Sequence, residues 1–312
     1  MTPHLSFPNE KGWEKLGRIL APDPRVPWMS TFTGSACAIP LDGGPLCDVY
    51  VTGRDDKNRS RIGKIRIDLE APGKPPEIGS EPLLTLGDLG AFDENGTGYP
   101  CLVPRDGKIS LYYVGWMPTV LTPYQAHIGL ADLEPDGHFK RVSRAPVLER
   151  TDDDYLSLGS CYVLADDGLF RMWYTSYLGW GKSPGEPKHT YVIKYAESRD
   201  GLHWQRPGRI CIGVEKEGEF AICRPSVLKT GGQYHMWYAT RGEEYRIGYA
   251  ISKDGLHWTR RDDLAGISVS GTGWDSKALT YPHVFESRGN LYMLYNGNEY
   301  GREGLGLARL KK

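Results

Sequence analysis

Four short apolar strands in this chain are each preceded, five or six residues upstream, by an acid. "FDENGTGYP" carries Asp93 and Glu94, "TDDDYLSLGS" carries Asp154, "GEFAICR" carries Glu219 and "GWDSKALTY" carries Asp275. Carboxylates brought in register to one end of a set of strands suit the cleavage of a glycosidic bond. One carboxyl group gives a proton to the leaving oxygen, and another attacks the sugar or activates water. Glu219, close to Arg224, is the expected proton donor, and Asp93 the expected nucleophile or base. Arg54, Arg224 and Arg241 add cations at comparable places. They either hold an anionic substrate group bidentately or pair with the acids and tie the structure together. An acid beside glycine in a turn also serves as a local cap, so each acid has a structural use as well.

A repeat must position these residues. "YAESRDGLHW" (Tyr195 to Trp204) returns as "YAISKDGLHW" (Tyr249 to Trp258), preceded by "LFRMWYTSY" and "QYHMWYATR". The same apolar-aromatic text recurs in "ISLYYVGW", "NLYMLYNGN" and "CDVYVTGR", giving five copies. Upstream lie the shorter strands "SACAIP", "YPCLVP", "SCYVLA", "RPSVLK" and "YPHVFE"; downstream come "SRIGKIRID", "AHIGLADL", "VIKYAES", "RIGYAIS" and "LGLARL". DG, DDG, GG and RGN turns join them, as an antiparallel meander needs. Fourth strands read "EPLLTL", "FKRVSRAPVLER", "HWQRPGRICI" and "HWTRRDD", and the fifth copy lacks one. "GWEKLGRIL" (Gly12 to Leu20) resembles "HWQRPGRICI" and supplies it. The expectation is an all-β, five-bladed propeller of four-stranded blades, a single domain over 1–312, with the N-terminal strand closing the last blade.

In that architecture the innermost strand begins where the second strand ends. One face therefore gathers Arg54, Trp116, Tyr177, Arg241 and Asn298 from second-strand ends, and Tyr99, Ser160, Arg224 and Tyr281 from innermost-strand starts. Two-residue alternation puts His283 on the same side as Tyr281, as a ligand contact or as a core histidine bonded to its neighbour. Of these, Arg54, Trp116, Tyr177, Arg224, Arg241, Tyr281, His283 and Asn298 are the candidate substrate-binding residues. Asp55 and Arg59 fall in a hairpin loop, and His203 and His257 belong to the repeated turn. "LGWGKSPGEPKHT", with Trp180, is a long hairpin loop that either covers the pocket or is a surface excursion.

Charged residues make up 25% and apolar residues 39%, with a formal net charge of -1. That balance excludes a nucleic-acid footprint and gives no anionic-membrane partner, leaving a small-molecule substrate. Cys37, Cys47, Cys101, Cys161, Cys211 and Cys223 lack CxxC or paired spacing, so neither a zinc site nor a disulfide frame is expected. No cofactor and no metal are expected. "MTPHLSFPNEKGW" has no basic or apolar leader segment, and no run approaches 18 apolar residues, so a cytoplasmic location is expected.

The motifs "TGRDDKNRSRIG", "FDENGTGYP", "RPSVLKTGGQYHMWY", "YRIGYAISKDGLHWTRRDD", "GWDSKALTYPHVF" and "LYNGNEYG" resemble the five-bladed propellers related to glycoside hydrolase families 32 and 43. Within them they are most similar to a bacterial, glycosidase-like group associated with polysaccharide biosynthesis. The resemblance spans about Trp28 to Leu310. It implies an axial pocket with an Asp in the first blade as nucleophile or base, a second, positioning Asp and a Glu as acid. Here the first blade reads "WMSTFTGSACAIP", without that acid, and the last keeps Asp275 but has Lys277 and Thr280 where relatives carry glutamates. Some family 43 relatives hold an axial calcium; no cluster of ligands here demands one. The resemblance implies a carbohydrate-active enzyme, a hydrolase or transglycosidase. The alternatives are a biosynthetic cyclase, lyase or transferase on a small anionic metabolite, or a non-catalytic module that binds a sugar or metabolite.

Overall fold

A computed structural model describes residues 12–181 and 189–312. The chain is all-β. After β1 (Trp13–Leu20), the first meander is β2 (Phe32–Pro40), β3 (Leu46–Arg54), β4 (Ser60–Asp68) and β5 (Glu77–Ile78). The second is β6 (Gly96–Arg105), β7 (Lys108–Met117), β8 (Gln125–Leu133) and β9 (Phe139–Arg141). The third is β10 (Leu158–Asp166), β11 (Leu169–Trp180), β12 (His189–Ser198) and β13 (Ile210–Ile212). The fourth is β14 (Ala221–Thr230), β15 (Gln233–Arg241), β16 (Tyr245–Ser252) and β17 (Thr259–Arg260). The fifth is β18 (Thr280–Ser287), β19 (Asn290–Asn296) and β20 (Leu305–Leu310), against which β1 pairs antiparallel. The innermost strands β2, β6, β10, β14 and β18 contact one another in that cyclic order, and β18 returns to β2.

Two expectations need correcting. Five separate sheets do not form: single parallel bridges, Ser60 with Gly96 and Tyr191 with Ala221, join successive meanders into two eight-stranded sheets beside one of four. The start of a third strand lies close enough to the start of the next innermost strand to form one bridge there. The fourth strand of the first meander is Glu77–Ile78, whereas "EPLLTL" contributes only the bridge of Leu84 with Ile62.

Apolar layers between neighbouring meanders make up the core. Trp28 shows how close the packing is: a Cβ added at Gly53 or Gly63 would come within 2.6 Å of its ring. Phe92 sits against Gly115 in the same way, and Trp274 against Gly297 and Gly306. In the second and fifth meanders the residue after this aromatic is Asp93 or Asp275; in the first it is Met29. Removal of residues 12–20 would leave β20 as an open edge under a stripped core. The expected outcome is loss of a cooperative thermal transition and concentration-dependent aggregation, measured by calorimetry and light scattering.

Candidate active site

Every innermost strand carries a bulge near its start. Ser35–Ala36, Tyr99–Pro100, Gly159–Ser160, Arg224–Pro225 and Tyr281–Pro282 each put two residues opposite one on the next strand. In four of them the first residue adopts left-handed backbone: Ser35 (φ 47°), Tyr99 (φ 55°), Arg224 (φ 51°) and Tyr281 (φ 54°). For non-glycine residues that costs about 1–2 kcal/mol each. Bulges re-aim side chains, here toward the axis. Three bulge amides find side-chain acceptors in the preceding meander around the ring. Ser35 N donates to Asn296 Oδ1 at 2.9 Å, Tyr99 N to Thr52 Oγ1 at 2.9 Å, and Arg224 N to Ser160 Oγ at 3.1 Å.

Arg224 reaches across the ring. Its guanidinium donates to Ala36 O at 2.7 Å, Pro100 O at 3.0 Å and Tyr99 O at 3.3 Å, and the residue is 2% exposed. It therefore ties the fourth meander to the first and second, which favours the structural role over the substrate clamp of its two expected roles, although its partners are backbone carbonyls and not acids. Ser160 is held beneath it, its Oγ also 3.2 Å from Thr175 Oγ1.

The expected convergence of free carboxylates on the axis is also corrected. Asp93 accepts from Tyr113 Oη at 2.9 Å and Arg141 Nε at 2.8 Å. Asp154 accepts from Ser176 Oγ (2.6 Å), Tyr174 Oη (2.8 Å) and Lys194 Nζ (3.0 Å), with Arg206 Nη1 at 3.3 Å. Glu219 is gripped bidentately by Arg260 at 2.7 and 2.8 Å and bonded by Thr240. Asp275 pairs with Lys15 Nζ at 2.6 Å and accepts from Tyr295 Oη at 3.2 Å. In each case a cation comes from the outermost segment of the same meander, so the carboxyl group faces the periphery and staples first, second and fourth strands. Burial pushes the Glu219 carboxyl up, but Arg260 and Thr240 outweigh it and hold it at about 2. Burial likewise raises Asp154, but Ser176, Tyr174 and Lys194 outweigh it and leave it below the usual range. Glu94 accepts from Gly90 N at 2.6 Å, and Asp55 accepts from Arg59 and Arg61 at 2.8 and 2.9 Å within its own hairpin.

The axial face instead gathers aromatic rings and arginines. Tyr99 meets Tyr281 edge-on at 5.4 Å, and Tyr281 meets Tyr245 at 6.1 Å. Tyr245 and Tyr191 share a hydroxyl contact; Tyr191 lies 5.0 Å from Tyr177, which stacks on Trp180 at 5.3 Å. Tyr124 bonds Tyr177 Oη at 2.9 Å and meets Trp116 at 6.2 Å. Burial raises Tyr177, Tyr191, Tyr245 and Tyr281 well above the usual phenol range, so their hydroxyls stay protonated. Arg54 lies over Phe32 (4.9 Å) and Trp116 (5.7 Å), with one donor to Asn58 Oδ1 at 2.9 Å. Arg241 lies over Tyr245 (5.1 Å), Phe220 (5.3 Å) and Tyr300 (5.3 Å). Neither has a carboxylate partner among the described residues, and the Nε of each is buried without an acceptor. Together these side chains form an aromatic cluster, hereafter the bowl, in which Tyr177, Tyr191, Tyr245 and Tyr281 are buried and Arg54 and Arg241 stand half-buried at the edge.

Two further candidates turn away from the bowl, His283 as the core histidine that was one of its two expected roles. The bulge at Tyr281–Pro282 breaks the two-residue period, so His283 leaves the bowl and packs against Tyr162 (6.3 Å) and Phe285 (5.9 Å). Burial and the charge of Arg224 push it down to about 3, leaving a neutral ring. Asn298 turns inward: its Oδ1 accepts from Lys277 N (2.8 Å) and Ala278 N (3.2 Å), and its Nδ2 donates to Gly273 O (3.1 Å). Most of the long hairpin loop containing Lys182 to Lys188 lies outside the described residues. Tyr124, Tyr191, Tyr245 and Tyr300 escaped sequence reasoning. Tyr191 and Tyr245 were findable, since they sit opposite the second-strand ends Tyr177 and Arg241 in equivalent registers. Among the described residues no group of three His, Cys, Asp or Glu side chains is placed to hold a metal, and no helix is long and apolar enough to cross a membrane.

No family model matches the chain. It is 42% identical over 302 residues to the uncharacterized protein Rv1502 of Mycobacterium tuberculosis (strain ATCC 25618 / H37Rv), covering 96% of this chain and 99% of that one. Over 130 residues, 39% of this chain and 44% of the other, it is 29% identical to a 1,2-beta-oligomannan phosphorylase of Thermoanaerobacter sp. (strain X514). Its structure superposes on one described as a glycoside hydrolase with a TM-score of 0.76 and 19% identity, over 97% of this chain and 92% of that one. A member of the GH130 family of mannoside phosphorylases and glycoside hydrolases gives 0.73 and 15%, over 99% and 95%. These likenesses show a glycosidase-like propeller fold.

Asp154→Asn is expected to destabilise the protein by about 3–5 kcal/mol, because it strands Lys194 and Arg206 in the interior, as measured by urea unfolding. Glu219, lowered from 4.5 to about 2 by folding, adds stability that is complete above about pH 4.5 and is lost as pH falls toward 2. A Glu219→Gln protein should therefore show a flatter loss of melting temperature over that window.

Proposed function

We propose that this chain, which belongs to the family of the uncharacterized Mycobacterium tuberculosis protein Rv1502, is a five-bladed, single-domain, carbohydrate-active propeller that takes an anionic saccharide in its axial bowl. The observation that carries this reading is the pairing of two half-buried arginines without carboxylates, Arg54 and Arg241, with a continuous floor of tyrosine and tryptophan rings. Aromatic faces take the apolar side of a sugar ring and protonated tyrosine hydroxyls take its oxygens. Guanidinium forks hold a phosphate or carboxylate. Trp116, Tyr177 and Tyr281 are proposed as substrate contacts in this reading.

The same geometry favours a reaction other than two-carboxylate hydrolysis. That scheme needs two free carboxyl groups about 5–9.5 Å apart across the scissile bond, and Asp93, Asp154, Glu219 and Asp275 are each engaged by a cation of their own meander. Phosphate as the nucleophile removes the need for one of them. Dihydrogen phosphate attacks the anomeric carbon, the glycosidic C–O bond breaks, and the proton that the phosphate gives up goes to the leaving oxygen, giving a sugar 1-phosphate and a shortened saccharide. Partial similarity to an oligomannan phosphorylase supports this reading.

Incubation with β-1,2-mannobiose and inorganic phosphate, followed by phosphorus NMR, tests the chemistry. Mannose 1-phosphate is the expected product, whereas free mannose alone would point to hydrolysis. A thermal-shift series with mannose 1-phosphate, glucose 1-phosphate and glucuronic acid tests binding. A ligand at a hundred times its Kd adds about 2.7 kcal/mol, and this gain should disappear in Arg54→Ala and Arg241→Ala. Absence of any stabilisation across the series would overturn the reading.

A further inference from the structure

The segment after β19 holds two successive non-glycine residues in left-handed backbone, Glu299 (φ 53°, ψ 37°) and Tyr300 (φ 64°, ψ -3°). Such residues cost about 1–3 kcal/mol each and persist only where their surroundings over-determine them. The surroundings here do so. On one side Asn298 is buried, its side chain fastened to the backbone of 273–278 and its N–H donating to Trp274 O at 2.8 Å. On the other, Gly301 is pressed against the first innermost strand, where a Cβ would come within 2.7 Å of Phe32 and of Thr33 O. The chain is thus pinned at both ends and forced through the strained pair.

Burial does not repay that strain. Tyr300 is 39% exposed and Glu299 faces solvent with no side-chain partner among the described residues. Folding alone would be served better by glycine at either position. What the strain achieves is placement: the Tyr300 ring stands edge-on to Tyr245 at 5.5 Å and against Arg241 at 5.3 Å, at the rim of the bowl, and its chain neighbour Glu299 is exposed.

We infer that Glu299–Tyr300 is a preorganised ligand-contacting segment that sets specificity: Tyr300 covers the sugar ring next to the anionic group held by Arg241, and Glu299 accepts hydrogen bonds from its hydroxyls. This rests on the saccharide reading of the bowl. An extended platform fixed in advance lowers the ordering cost of binding, which is what the folding strain secures.

The test separates the two readings. Isothermal titration with mannose 1-phosphate, glucose 1-phosphate and glucuronic acid is run on the wild type, Tyr300→Ala, Tyr300→Phe and Glu299→Gly, with melting temperatures measured without ligand. Tyr300→Ala should bind about tenfold more weakly and Tyr300→Phe close to the wild type. Glu299→Gly should melt about 2 °C higher and yet bind several-fold more weakly. Wild-type binding with Tyr300→Ala unchanged would overturn this inference alone. A Glu299→Gly protein no more stable than the wild type would remove its premise. Failure of the wild type to bind any of the three compounds would overturn both readings.

Discussion

Arg224 brings a full positive charge to the axis of the ring with no carboxylate among the described residues to meet it. An uncompensated buried charge is among the most costly groups a fold can hold. Its cost is offset here by backbone carbonyls of two other meanders, Ala36 O on one and Tyr99 O and Pro100 O on the other, while its own N–H is taken by Ser160 of a third. Those carbonyls are free to point inward because the innermost strands bulge at that level. The bulges, the left-handed residues within them and the arginine therefore form one arrangement. Without the bulges the carbonyls would be bound in the ladder; without the arginine, carbonyls turned toward the axis would lack a donor.

Outside this hub lies a layer of staples. A carboxylate ahead of the innermost strand, a tyrosine or hydroxyl on the second and a cation from the outermost segment recur as Asp93, Tyr113 and Arg141, and as Asp275, Tyr295 and Lys15. Asp154 and Glu219 follow the same plan with more donors. The first meander departs from it, with Met29 in the acid's place and Trp28 packed between Gly53 and Gly63. That departure and the missing first-blade acid noted in the sequence are the same fact. A hydrophobic anchor there does the holding that an ion pair does elsewhere.

The repeat was legible because a meander writes apolar alternation and turn residues at fixed spacing, and closure by β1 was legible because Gly12–Leu20 copies a fourth strand. The role of the acids was not. A carboxylate in register with three others looks alike whether it faces the axis or its own outer strand, and the deciding partners, such as Arg141 and Lys15, lie dozens to hundreds of residues away. They were still present as a pattern, since every stapled meander has a basic residue in its fourth-strand text. The direction of His283 was illegible for a different reason. Alternation predicts side-chain direction only through an unbroken ladder, and a bulge between Thr280 and His283 shifts the phase.

Separating hub, staples and rim has a consequence for how such a ring changes chemistry. The acids that a two-carboxylate mechanism would need are already engaged in holding meanders together, so freeing one for catalysis would cost stability. Rim residues carry no such burden. Arg54 rests on Phe32 and Trp116, and Arg241 on Phe220, Tyr245 and Tyr300, so the two cations sit in different aromatic shells. A ligand held at both must present its polar groups with matching asymmetry. Under the proposed reading, the half-exposed Arg54, Arg241 and Tyr300 are the positions where substitution would alter selectivity while the hub stays fixed.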